Sequence, residues 1–175
     1  MKLAFVINGK GGVGKDSFCN CVAEVYDVRN ISSVDPVKEI ARHAGWSGAK
    51  EDRDRKFLSD LKQLLTDYNE LPTRYCLSQF EEFMKSETEN VMFIHIREPK
   101  EIQKFIDATD GRCLSLLIRR KGMDRVYGNV SDDNVDCYEY DYVYDNDKPL
   151  EDMPADVIDF ISKVVDEEER KRFPH

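Results

Sequence analysis

The stretch Leu3-Ala4-Phe5-Val6-Ile7-Asn8-Gly9-Lys10-Gly11-Gly12-Val13-Gly14-Lys15-Asp16-Ser17 passes from an apolar run through a glycine-rich turn into helix-forming residues. Glycines at 9, 11, 12 and 14 let the backbone curl until successive N–H groups point at one anion. The helix that opens at Lys15 adds its orphan N–H donors and the positive end of its dipole. Lys15 contributes a mobile charge for the outer phosphates of a nucleoside triphosphate. Strand, Gly-x4-Gly-Lys and helix in that order make the pattern a P-loop. Gly9, Lys10, Gly11, Gly12, Val13, Gly14, Lys15, Asp16 and Ser17 are therefore the expected ATP-binding residues. Asp16 stands where Ser or Thr is usual, so its carboxylate becomes the expected Mg2+ ligand, with the Ser17 hydroxyl reaching the α-phosphate.

Working outward, strand and helix signals alternate. This predicts an α/β fold of three layers, a five-stranded mainly parallel sheet between flanking helices. The helix opened at Lys15 is expected to reach about Val28. Ile31-Ser32-Ser33-Val34 reads as a second strand, with Asp35 as N-cap, Pro36 at the first helical position and Gly45 closing that helix. Residues 50 to 68 read as a helix whose core face is Phe57, Leu58, Leu61, Leu64 and Leu65. Residues 73 to 85 repeat the pattern with Cys76, Phe80, Phe83 and Met84. Val91 to Ile96 is apolar enough for a central strand buried on both faces, with Pro99 starting the next helix. Within it, His95 reads as a core histidine. Cys113 to Ile118 and Tyr142 to Tyr144 complete the sheet, and a last helix over 152 to 170 turns Val157, Ile158, Ile161, Val164 and Val165 inward.

The carboxyl ends of parallel strands are where open α/β sheets bind ligands. Asp35, Lys38 and Arg42 follow the second strand, and Arg97 and Glu98 follow the third. With Arg53 and Arg55 of the charged run Lys50–Lys56 they are the expected grip on an acceptor's phosphate. Arg119, Arg120 and Arg125 stand at the base of an irregular segment, about 120–140. The segment reads as a lid whose arginines, with Lys15, stabilise a transferring phosphoryl group and exclude water. One domain is expected over 1–175: a core of 1–35, 88–119 and 141–175, a helical acceptor region at about 36–87, and the lid.

The bulk numbers narrow the classes. Charged residues are 35% and hydrophobic residues 41%, as in a folded soluble domain. The net charge of −9 disfavours nonspecific nucleic-acid binding. No apolar run approaches a membrane span, and the first strand begins at once, leaving no room for a signal peptide. Five scattered cysteines without zinc spacing suit reduced thiols in a cytoplasmic protein. Monomer and homodimer are both compatible with the sequence.

Gly9 to Phe18, Asp35-Pro36-Val37-Lys38-Glu39-Ile40-Ala41, Arg55-Lys56-Phe57-Leu58-Ser59-Asp60-Leu61-Lys62 and Phe93-Ile94-His95-Ile96-Arg97-Glu98-Pro99 resemble phage-type deoxynucleoside monophosphate kinases. Ser131-Asp132-Asp133-Asn134 through Tyr140-Asp141-Tyr142 is similar too. The resemblance implies a nucleoside monophosphate kinase fold, ATP with Mg2+ as donor, and a nucleoside monophosphate as the small-molecule acceptor. The same P-loop variant occurs in phosphomevalonate kinase. Lys10-Gly11-Gly12-Val13-Gly14-Lys15 is also found in dimerising partition ATPases, which carry Ser or Thr after the second lysine. No obvious Walker-B aspartate follows an apolar run, with Glu98 the nearest substitute, so a nucleotide sensor without turnover is a third reading.

Overall fold

The computed structural model describes residues 1–123 and 134–172. Among them, β1 (Leu3–Asn8), β2 (Val28–Ser32), β3 (Val91–His95), β4 (Leu114–Arg119) and β5 (Tyr142–Asp145) form one sheet of order β2-β3-β1-β4-β5. Every pairing is parallel: Leu3 faces Val91, Phe5 faces Leu114, Val28 faces Val91 and Leu116 faces Tyr142. The α/β class and the five-stranded parallel sheet are as expected.

The helices are α1 (Lys15–Ala23), α2 (Asp35–His43), α3 (Asp52–Asn69), α4 (Leu71–Lys85), α5 (Pro99–Ala108) and α6 (Met153–Arg172). They cover both faces because alternate strand residues point oppositely. Leu3, Phe5, Ile7, Val91 and Phe93 meet Phe18 and Val22 of α1 and Val157 and Ile161 of α6. Ala4, Val6, Met92 and Ile94 meet Phe80 and Phe83 of α4 and Ile102 and Phe105 of α5. A strand buried on both faces has no reason to alternate, which is why β3 reads as an unbroken apolar run.

Four expectations need correction. α1 stops at Ala23, where Val25 and Tyr26 donate to Val22 O and turn the chain back toward the sheet. β2 runs over Val28–Ser32 and not Ile31–Val34, because its ladder with β3 begins at Val28 opposite Val91. Asp35 is the first helical residue, with Val34 at the N-cap; its carboxylate accepts from Ser32 N at 2.7 Å and so closes the turn before the helix. The apolar face of α3 is not core: none of its residues is buried, and Phe57 and Leu64 are 39% and 64% exposed. Among the described residues its packing is mainly on α2 and α4. No helix among the described residues is long and apolar enough to cross a membrane.

Candidate active site

The glycine-rich loop leaves the carboxyl end of β1, the middle strand, and α1 begins directly behind it at Lys15. Gly9 has φ 152°, and a Cβ there would lie 2.5 Å from Ile118 O of β4. Gly14, the N-cap, has φ 96°, and a Cβ there would meet Asn146 Nδ2 at 2.5 Å. Both positions admit only glycine, on backbone conformation and on space. The loop is thus pressed against β4 and the end of β5.

Buried polar side chains hold it from beneath. Asn8, 1% exposed, accepts from Gly9 N at 2.8 Å and donates to Arg97 O at 3.0 Å and Tyr140 Oη at 2.9 Å. One amide therefore joins the P-loop, the end of β3 and the far base of the expected lid. Asn146 donates through Nδ2 to Val13 O at 2.8 Å, while its own N–H donates to Arg119 O at 2.8 Å. Lys10 pairs with Asp136 of the same chain at 2.9 Å, a second tie between loop and lid base. Lys15 Nζ folds over its own loop, donating to Gly9 O and, at 3.0 Å, to Lys10 O.

Asp16 and Ser17 are exposed in the first turn of α1. Behind that turn, His95 ends β3 with Nε2 2.9 Å from Asn30 Oδ1 and 3.9 Å from Cys19 Sγ. Since the amide oxygen only accepts, Nε2 carries the proton. Burial lowers the His95 pKa; Asp16 opposes this and Lys15 adds to it, so the ring is neutral at pH 7. Burial, then the Asp16 charge, pushes the Cys19 thiol up to about 12, which removes it as a nucleophile. His95 is a satisfied histidine, as its place in the strand implied, yet it borders the first turns of α1.

Among the described residues no group of three or more His, Cys, Asp or Glu is arranged to hold a metal ion. An exposed carboxylate at the mouth of an anion cradle nonetheless fits Mg2+, which is commonly held by one or two carboxylates plus substrate phosphates and waters.

The other expected residues fall in three places. Arg97 and Glu98 follow β3, with Arg97 exposed and Glu98 at the N-cap of α5. The Glu98 carboxylate accepts from Lys62 of α3 at 2.9 Å, a partner the sequence did not suggest. Lys38 lies in the first turns of α2, whereas Arg42 in the last turn stacks over Trp46, 5.7 Å from the ring centroid. Arg53 and Arg55 are exposed at the start of α3, whose cap is closed by Glu51 N donating to Asp54 Oδ2 at 3.3 Å. Arg119 ends β4 with its guanidinium across Asp145 of β5, at 3.0 and 3.2 Å. Arg120 follows it, exposed. Arg125 and Ser131-Asp132-Asp133 lie outside the described residues, as does all of 124–133 within the expected lid.

No protein-family model and no curated protein matches this chain. Among solved structures, TT1252 from Thermus thermophilus aligns over 95% of this chain and 97% of its own, at 17% identity and TM-score 0.52. The two share a fold. A sugar kinase from Janibacter sp. aligns over 93% and 95% of the two chains, at 14% identity and TM-score 0.49. A gluconokinase from Sinorhizobium meliloti 1021 aligns over 99% and 98%, at 14% identity and TM-score 0.48.

Proposed function

We propose that this protein transfers the terminal phosphoryl group of ATP to a small phosphate-bearing acceptor, a ribo- or deoxyribonucleoside monophosphate, giving the diphosphate and ADP. The observation that carries this reading is Asn8. Its amide ties the donor loop at Gly9 to the backbone of Arg97, so a donor cradle and a phosphate-seeking arginine share one rim of the sheet.

Phosphoryl transfer asks the protein for alignment and charge neutralisation rather than covalent chemistry. The loop N–H groups and the start of α1 hold the donor phosphates, and Lys15 exchanges the carbonyls of Gly9 and Lys10 for phosphate oxygens. Arg97, with Lys38, Arg53, Arg55, Asp35 and Arg42, receives the acceptor. Arg119, Arg120 and Arg125 at the lid base neutralise the transferring group, with Arg119 first leaving Asp145. A bound Mg2+ supplies charge stabilisation to the donor phosphates, and Asp16 is the side chain that would hold it. No strong base is needed, because an acceptor phosphate is already nucleophilic at neutral pH. That agrees with a neutral Cys19 thiol and a hydrogen-bonded His95.

ADP release in the presence of ATP and Mg2+, measured against a panel of nucleoside monophosphates and phosphomevalonate, tests the reading. Turnover with one or a few nucleotides supports it, and turnover with phosphomevalonate alone moves the acceptor to another class. ADP formed without acceptor, rising steeply with protein concentration, would indicate a dimerising ATPase. The pairing of Lys10 with Asp136 of its own chain speaks against that outcome. ATP binding without turnover would leave a sensor.

A further inference from the structure

α3 and the carboxyl end of β3 are fastened together by a cluster of three charged side chains. Lys62 Nζ lies 2.9 Å from Glu98 Oε2 and 2.8 Å from Glu101 Oε2. Lys62 is 15% exposed, so this pair of contacts is not a solvated surface ion pair. Two carboxylates facing one ammonium leave a negative charge in excess unless they share a proton. Their acidities diverge accordingly: Glu101 is pushed up to about 7 by burial and then by Glu98, while Glu98 is held near 2 because Glu101 and Lys62 together outweigh its burial. Further along, Lys104 of α5 pairs with Glu70 at the junction of α3 and α4.

α3 otherwise packs on α2 and α4, and the cluster ties it to α5 as well. None of its side chains is fully buried. With no fully buried side chain to lock it, such a helix takes part of its position from contacts of this kind, and its position is what aims the side chains it carries. Glu98 follows directly on Arg97, and Arg53 and Arg55 stand in the first turn of α3.

We propose that Lys62 is a positioning residue: through Glu98 and Glu101 it sets where α3, with Arg53 and Arg55, stands relative to Arg97, and so governs capture of the acceptor's phosphate. The part concerning the acceptor rests on the function proposed above. Lys62 touches neither reacting group; it acts through the two glutamates and the helix.

The test compares Lys62→Met and Lys62→Arg with the wild type by two readouts. Amide hydrogen exchange along α3, without any nucleotide, reports the clasp alone. Acceptor KM and kcat, with the best acceptor of the panel, report its consequence. Lys62→Met is expected to speed exchange in α3 while leaving α6 unchanged, and to raise acceptor KM about tenfold with kcat and ATP KM nearly constant. Lys62→Arg, which keeps the charge, is expected to restore both. If Lys62→Met does not fold, Glu101→Gln is read in the same way, with a smaller change in the same direction. Unchanged α3 exchange with unchanged acceptor KM overturns the proposal, as does a fall in kcat that Lys62→Arg does not rescue. A wild type that turns over no acceptor, while α3 exchange still answers to Lys62→Met, overturns the kinase reading and supports the clasp.

Discussion

α6 and α3 carry the same apolar spacing and end up in different surroundings. Val157, Ile161 and Val164 of α6 are 0%, 0% and 3% exposed, set against β1, β3 and α1 in one core. Phe57 and Leu64, at the first and fourth places of the matching pattern in α3, stay in water. A periodic stripe shows which side of a helix is apolar; whether a sheet stands behind that side depends on chain topology. On the proposed function, the donor half of the molecule is therefore built on apolar burial, and the helix expected to meet the acceptor on packing with its neighbours plus one partly buried charge cluster. For the reaction proposed above, a firmly packed donor half and a less buried acceptor helix would suit a step that depends on alignment.

The sharpest way to break that contrast is to delete one side chain from each stripe. Ile161→Ala is expected to cost about 2–5 kcal/mol, and Leu64→Ala no more than about 0.5 kcal/mol, by urea denaturation. Equal losses would mean that α3 is as firmly seated as α6. Next in size, Lys15→Ala should lower kcat/KM by about a hundredfold or more while the thermal transition hardly moves. Normal turnover in that variant would remove the P-loop from the mechanism. Asn8→Ala strips the acceptor from Gly9 N and the donor from Arg97 O in a buried place, for a cost of about 1–3 kcal/mol. Because the amide joins both halves, KM for ATP and for the acceptor should rise together. A rise confined to one substrate would show that the halves are fastened elsewhere.

The sheet and the loop were legible for local reasons. Apolar runs ending in glycine, proline or charge mark strands, and Gly-x4-Gly-Lys after the first of them needs no distant information. Lys62, Asn8 and Asn146 were not read as site residues because their roles lie in contacts far along the chain. Asn146 and Val13 are 133 residues apart. One signal was available: a polar amide at the carboxyl end of a strand, as in Ile7-Asn8-Gly9 and Asp145-Asn146-Asp147, sits where a loop needs internal hydrogen-bond partners. Lys62 had no such mark, since a lysine in a charged helix usually faces solvent. The same limit applied to Arg42 and Arg119, whose engagements with Trp46 and Asp145 follow from helix ending and strand pairing rather than residue type.

The smallest expected effect probes the charge cluster directly, through pH. Glu101, raised from 4.5 to about 7 chiefly by burial, keeps a proton that the unfolded chain has released. Its contribution to stability is therefore complete below about pH 4.5 and is lost as pH rises through 7. Glu98, lowered to about 2 because Glu101 and Lys62 overcome its burial, behaves oppositely: its contribution is present above 4.5 and is lost as pH falls toward 2. Between about pH 5 and 8 only the Glu101 part changes, so it should lower stability with rising pH. Glu101→Gln cannot ionise and should remove that slope while keeping a hydrogen-bonding side chain. Urea denaturation of the two proteins across this range separates them. Parallel curves would mean that the glutamates share no proton and that Lys62 meets two ordinary carboxylates. A flattened curve for Glu101→Gln, with exchange protection of α3 losing its pH dependence and that of α6 unaltered, would place the shared proton at the seam between α3 and the rest of the fold.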